Sequence, residues 1–162
     1  MLLAAAVAAT VALAACLPGR SEDPGPGPEA ADLPPTPDPC LLLTPDEIAA
    51  VQGGPTEAGM ETFGQAPGHR ACLFGQQDSP EATTISVFPG DDLGWQDTID
   101  DVELNFEVEE IAGLGDAAFI GANVLHVHKG QFIITLYAGG PWTDSERKAK
   151  VLELAPKALA RL

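Results

Sequence analysis

NVLHVHKGQFIITLY, residues 123–137, is the stretch on which the fold turns. Apolar and polar side chains alternate on both sides of Lys129-Gly130, and a two-residue turn there would close a β-hairpin. Pairing His128 with Gln131 sets Val127 against Phe132 and Leu125 against Ile134. One face is then apolar, and the other carries His126, His128, Gln131, Thr135 and Tyr137. An antiparallel sheet of this kind packs one face on a core and offers the other, or its loops, for binding.

The flanking chain supplies the cover. In TDSERKAKVLELAPKALARL (143–162), Thr143 and Glu146 form a capping box, and Val151, Leu152, Ala155, Leu159 and Leu162 make an apolar helical face. Pro156 falls inside it, and a mid-helix proline costs about 3 kcal/mol, so a kink near Leu152 or two short helices are expected. In CLLLTPDEIAAVQGGP (40–55), Thr44 with Glu47 is a second capping box, Pro45 takes the first helical position, Leu43 and Ile48 suit a hydrophobic staple, and Gly53 stops the helix. The spacing predicts a helix over Pro45–Gln52.

Between these ends, ACLFG (71–75) and TTISVF (83–88) have strand composition, and a further strand is expected near Val108–Ile111. In WQDTIDDVELNF (95–106), Trp95, Ile99, Val102 and Phe106 recur at helical spacing, which predicts a helix at least through Val102. Asp97, Asp100, Asp101 and Glu103 fall mostly on its opposite, solvent side, without the residue pattern of an EF-hand calcium loop. The sum is an α+β domain of short helices packed on a mostly antiparallel β-sheet.

The domain occupies residues 40–162, and what precedes it has a different character. Residues 1–15 hold an apolar run, Leu2–Ala15, that is short of the roughly 20 residues a membrane span requires and reads as a signal peptide. Leu13, Ala14, Ala15 and Cys16 resemble a bacterial lipobox, in which the Cys16 thiol accepts a diacylglycerol. The stretch Met1–Thr10 carries no Lys or Arg, a departure from the usual charged opening of an export signal. Residues 16–39 follow as a Pro- and Gly-rich, acidic tether. The expected location is the outer face of the cytoplasmic membrane, with the lipid as the membrane contact. With Cys16 acylated, Cys40 and Cys72 remain, and an oxidising envelope favours a disulfide between them.

Several of these residues together carry a resemblance. Asp38, Pro39 and Cys40, then Leu42, Leu43, Thr44 and Pro45, a second cysteine at Cys72, and Gly113-Leu114-Gly115-Asp116-Ala117-Ala118 before a hairpin resemble the actinobacterial lipoprotein family built on domain of unknown function 3558. The resemblance covers most of residues 38–162. It implies an exported lipoprotein with a compact α+β domain and no established activity.

Composition narrows the function. With 24 Asp and Glu against 8 Lys and Arg, the formal charge is -16, which argues against binding a phosphate backbone or anionic headgroups. Gly113–Ala118 formally matches G-x-G-x-x-A, but the residues after it are strand-like and no ribose-binding carboxylate follows, so the glycines are expected to shape a turn. Ser79, Ser86 and Ser145 occupy no nucleophile elbow, and the neighbours Asp91-Asp92 and Glu109-Glu110 cannot share one strand face. The pair that attracts chemistry is His126 and His128. Imidazoles at i and i+2 can hold Zn(II) or Cu(II) if His69 or an aspartate adds a third ligand, and the competing reading is a solvated sheet face. Tyr137 and Trp142, around Gly139 and Gly140, suit either a ligand or partner edge or an ordinary turn with core packing. No catalytic residues and no cofactor are assigned. The expected function is a non-catalytic binding or interaction module of the cell envelope, taking an envelope protein or a small ligand. A hydrolase built from distant carboxylates and the histidines, and a metal-handling protein using His126 and His128, are the rivals.

Overall fold

The computed structural model describes residues 33–64, 66–76 and 79–162. The expected signal peptide, the expected lipobox at Cys16 and the expected tether as far as residue 32 lie outside them. Within them the chain forms, in order, α1 (Pro45–Gln52), β1 (Met60–Phe63), β2 (Arg70–Phe74), β3 (Thr83–Pro89), α2 (Asp92–Glu103), β4 (Val108–Glu110), β5 (Ala117–Gly121), β6 (Val124–Lys129), β7 (Phe132–Tyr137) and α3 (Asp144–Leu159). The strands make one sheet in the order β1-β2-β3-β7-β6-β5-β4, and every neighbouring pair is antiparallel. The domain is α+β, as expected, with three helices on a seven-stranded antiparallel sheet.

Local chemistry sets the helix ends. At α1, Thr44 Oγ1 accepts the Glu47 N–H and the Glu47 carboxylate accepts the Thr44 N–H at 2.8 Å, while Gly53 ends the helix at φ 80°. Thr143 and Glu146 repeat this reciprocal pair at α3. There the expected alternative of two short helices is not found. The helix runs unbroken from Asp144 to Leu159 with Pro156 inside it. Pro156 deletes only one hydrogen bond close to the C-terminal end, and buried Leu154, Ala155 and Ala158 hold the last turns on the core. Asp91 caps α2 by accepting the Gly94 N–H, so α2 starts before Trp95; it also ends at Glu103, leaving Phe106 outside the helix and about half exposed.

One sheet face meets α1 and α3. Cys72, Phe74, Ile85, Val87, Leu125, Val127, Ile134 and Leu136 point to this side and pack with Leu43, Ile48, Val51, Val151 and Leu154 in the main core. The β6–β7 pairing places Leu125 opposite Leu136, Val127 opposite Ile134 and His128 opposite Ile133. The turn is therefore Gly130-Gln131 rather than Lys129-Gly130, two residues from the expected register. A shift of two keeps each side chain on its face, so the apolar set is unchanged. What changes is the pairing on the second face, where Ile133 stands opposite His128 instead of His126.

The G-L-G-D motif shapes this same corner. Gly113 and Gly115 adopt positive φ, as expected of a turn, and the Asp116 carboxylate accepts the Gly130 N–H at 2.7 Å and a Lys129 Nζ–H at 3.0 Å. Those contacts, the Gly130 amide first, hold the Asp116 carboxyl below the ordinary carboxylate range.

Cys40 and Cys72 form the expected disulfide, closing a sequence separation of 32. The chain is already docked before Cys40. Arg70 donates to the Thr36 carbonyl at 3.0 Å, Thr36 Oγ1 donates to the Gly68 carbonyl at 2.7 Å, and the Asp38 side chain accepts the Cys40 N–H. The last residues of the Pro-rich stretch thus lie on the domain. No helix among the described residues is long and apolar enough to cross a membrane.

Candidate functional site

The second face of the sheet carries the candidate site. Along β5 to β7 it presents Ala117, Phe119, His126, His128 and Ile133, and α2 lies across it with Trp95, Ile99 and Val102 turned inward. Trp95, Phe119 and Ile133 are buried together as a second, smaller core. The sheet is therefore covered on this side as well, over the β5–β7 half, and the expected solvated histidine face is not found. His126 and His128 keep only 9% and 6% of their surface exposed.

Aromatic stacking accounts for both rings. His126 lies on Phe119, its cross-strand partner, with centroids 4.5 Å apart and planes 10° apart. His128 lies under Trp95 at 5.5 Å and 14°. Trp95 in turn meets Phe119 at 5.1 Å, so four rings make one continuous group between α2 and the sheet. Burial drives the His126 pKa from its ordinary 6.5 down to about 4, and the ring is neutral at pH 7. His126 Nδ1 and His128 Nε2 are buried with no hydrogen-bond partner among the described residues. His128 Nδ1 lies 4.0 Å from the exposed Asp92 carboxylate, too far for a hydrogen bond.

The other residues singled out in the sequence do not join this group. His69 stands against Phe88 at 5.2 Å, and its pKa is lowered by burial. Tyr137 pairs with Thr84 on β3, and its ring takes the Arg147 guanidinium at 4.8 Å. Trp142 donates Nε1–H to the Gly139 carbonyl at 2.7 Å and receives Lys150 Nζ on its ring at 3.9 Å. Among the described residues no three His, Cys, Asp or Glu side chains cluster in a way that could hold a metal ion.

Beside the four rings, α2, β4, β5 and the turn after β4 border a half-open cavity of about 480 Å³. Trp95, Ile99, Val108, Ile111, Ala117 and Phe119 give it apolar and aromatic walls. Glu103, from the last turn of α2, and Glu110, from β4, are its only charged lining residues. Both are exposed, and neither forms a hydrogen bond or ion pair among the described residues, whereas Glu109 points to the opposite side and binds Lys148. Neither histidine lines the cavity; the rings that cover them do. The volume falls in the range of small-molecule sites, which are concave, mostly apolar and furnished with a few polar groups.

The sequence signalled the walls but not the cavity. Trp95, Ile99 and Val102 were legible as an inward face. That they meet β4 and β5, with Glu103 and Glu110 brought to one opening, depends on the strand order. Comparison with protein-family models, with curated proteins and with solved structures finds no match to this chain.

Proposed function

We propose that this chain is an extracytoplasmic lipoprotein, anchored through Cys16 at the outer face of the cytoplasmic membrane, whose domain is a non-catalytic binding module. Its ligand site is the cavity under α2, and its ligand is a small molecule with an apolar body. The observation that carries the reading is the cavity itself, about 480 Å³ walled by Trp95, Ile99, Val108 and Phe119 at the edge of the second core. The signal-like Leu2–Ala15, the lipobox ending at Cys16 and the resemblance to the domain of unknown function 3558 lipoproteins support the placement in the envelope. Binding is favoured over hydrolysis because neither histidine lines the cavity, His126 being stacked on Phe119 and His128 on Trp95.

Titration of the purified domain with a neutral polarity-sensitive dye such as Nile red tests the site. Saturable binding at one site in the wild type, lost in Ala117→Phe, is expected. Binding that survives Ala117→Phe, or no saturable binding, overturns the assignment. Intact mass from a membrane fraction tests the anchor: the chain should begin at an acylated Cys16.

A further inference from the structure

We infer that the cavity under α2 selects organic cations, meaning amines or quaternary ammonium groups carried on an apolar body. This rests on the reading of that cavity as the binding site and adds the class of its ligand.

Three features of the lining lead to it. The first is the charge at the opening: Glu103 and Glu110 are the only charged lining residues, they come from different elements, and among the described residues no Lys or Arg compensates either one. Among the described residues Asp38, Glu47, Glu61, Glu109, Asp116 and Glu153 pair with a Lys or Arg, and Glu103 and Glu110 belong to the carboxylates that do not. The second feature is the wall. The Trp95 indole borders the space with the buried Phe119 ring packed against it, and an aromatic ring attracts a cation within about 6 Å of its centroid. The third is the field of the whole chain, whose formal charge of -16 raises the local concentration of cations and repels anions.

These features divide the ligand. Ile99, Val108, Ile111 and Ala117 take a hydrocarbon body out of water, and the carboxylates with the rings take the charged end. A bare metal ion does not satisfy the apolar walls, which supply no ligand atoms. An anion meets only repulsion. A neutral hydrocarbon gains the walls and nothing from Glu103 and Glu110.

The test uses benzyltrimethylammonium and its uncharged carbon isostere neopentylbenzene, titrated calorimetrically into the wild type, Glu103→Gln/Glu110→Gln and Ala117→Phe. The two carboxylates are on the surface, so their removal leaves the fold intact. The cation is expected to bind at least ten-fold tighter than the isostere at low salt, although the isostere is the more hydrophobic. In the double variant that preference should fall below about two-fold with isostere binding unchanged, and in Ala117→Phe both ligands should be lost. Equal binding of the two ligands by the wild type, or a preference that persists without the carboxylates, overturns cation selection while leaving the cavity as the site. Failure of both ligands to bind the wild type, or binding untouched by Ala117→Phe, overturns the site and the selection together.

Discussion

Trp95 of α2 lies parallel to His128 of β6, ring on ring, with centroids 5.5 Å apart. The contact joins the helix to the sheet face that the sequence left open, and it makes Trp95 both the anchor of α2 and a wall of the cavity. Trp95→Ala should therefore act on two levels. Truncating a buried aromatic side chain costs about 3 kcal/mol or more. Chemical denaturation should show that loss, hydrogen exchange should show faster exchange confined first to α2, and dye binding should disappear. A variant with full stability and unchanged exchange would mean that α2 is held by other contacts.

His126 makes the domain acid-sensitive. Its pKa is lowered by burial from 6.5 to about 4. Between these values the unfolded chain takes up a proton that the folded chain does not, so stability falls as pH drops from 6.5 towards 4 and levels off below. The contribution of this one ring is about 3 kcal/mol. Urea denaturation at a series of pH values should show the fall, and His126→Phe, which keeps a ring beside Phe119, should lose that component while the carboxylate contributions remain. A pH profile identical to the wild type would sink the assignment.

Glu47 serves two structures at once, the cap of α1 and a bidentate pair with Arg161 at 2.8 Å for both contacts. The Arg161 contact, with help from Thr44, draws the Glu47 pKa from 4.5 to about 2. Its contribution is complete above pH 4.5 and is lost as pH falls towards 2. Glu47→Ala is expected to destabilise by about 1.5 kcal/mol and Arg161→Ala by less, since only the first also breaks the cap. Thermal unfolding of both variants at pH 7 separates the two roles, and equal effects would assign all of the loss to the pair.

Gly113 and Gly115 both have positive φ but differ in surroundings. A Cβ at Gly113 meets open space, and one at Gly115 would lie 2.5 Å from the His128 carbonyl oxygen. Gly115→Ala should cost about 2 kcal/mol or more and Gly113→Ala about 1 kcal/mol. The same ranking should appear in denaturant midpoints, and the reverse order would show that the turn does not lean on β6.

Replacing Cys40 and Cys72 with serine opens the loop closed by the disulfide. On the chain-entropy account the loss is roughly 3.5 kcal/mol. Guanidinium unfolding of the double variant should show it as a lower midpoint.

The parts of this fold written in neighbouring residues were legible in the sequence. Thr44, Pro45, Glu47 and Gly53 bound α1 at both ends because a cap is made within one turn. The hairpin faces were legible from period-two alternation even though its register lay two residues away, since alternation fixes the face and not the turn. The burial of the histidines was not legible from the hairpin alone. A signal was present: Ile133 shares their face, and the Trp95-Ile99-Val102 stripe needed an apolar partner. β1 escaped because Met60-Glu61-Thr62-Phe63 is short and gains its strand character from β2. The cavity escaped for a different reason, that its lining is gathered from segments whose adjacency is a property of the sheet order. Pro156 does not split α3 because it stands near the end of the helix, where few hydrogen bonds remain to lose.

Finally, the Cys40–Cys72 bond determines where mechanical load enters the domain. Tension applied to the chain ahead of residue 40 crosses the sulfurs directly into β2, with Arg70 sharing it through Thr36 and Asp38. The segment holding α1 and β1 sits inside the covalent loop and is bypassed. Force then spreads into the sheet through β3, while β5 and β4, which wall the cavity, lie at the far end of the strand order beyond β7 and β6. A domain stapled in this way can be tugged from its leading end without prying open the place where it would hold a ligand.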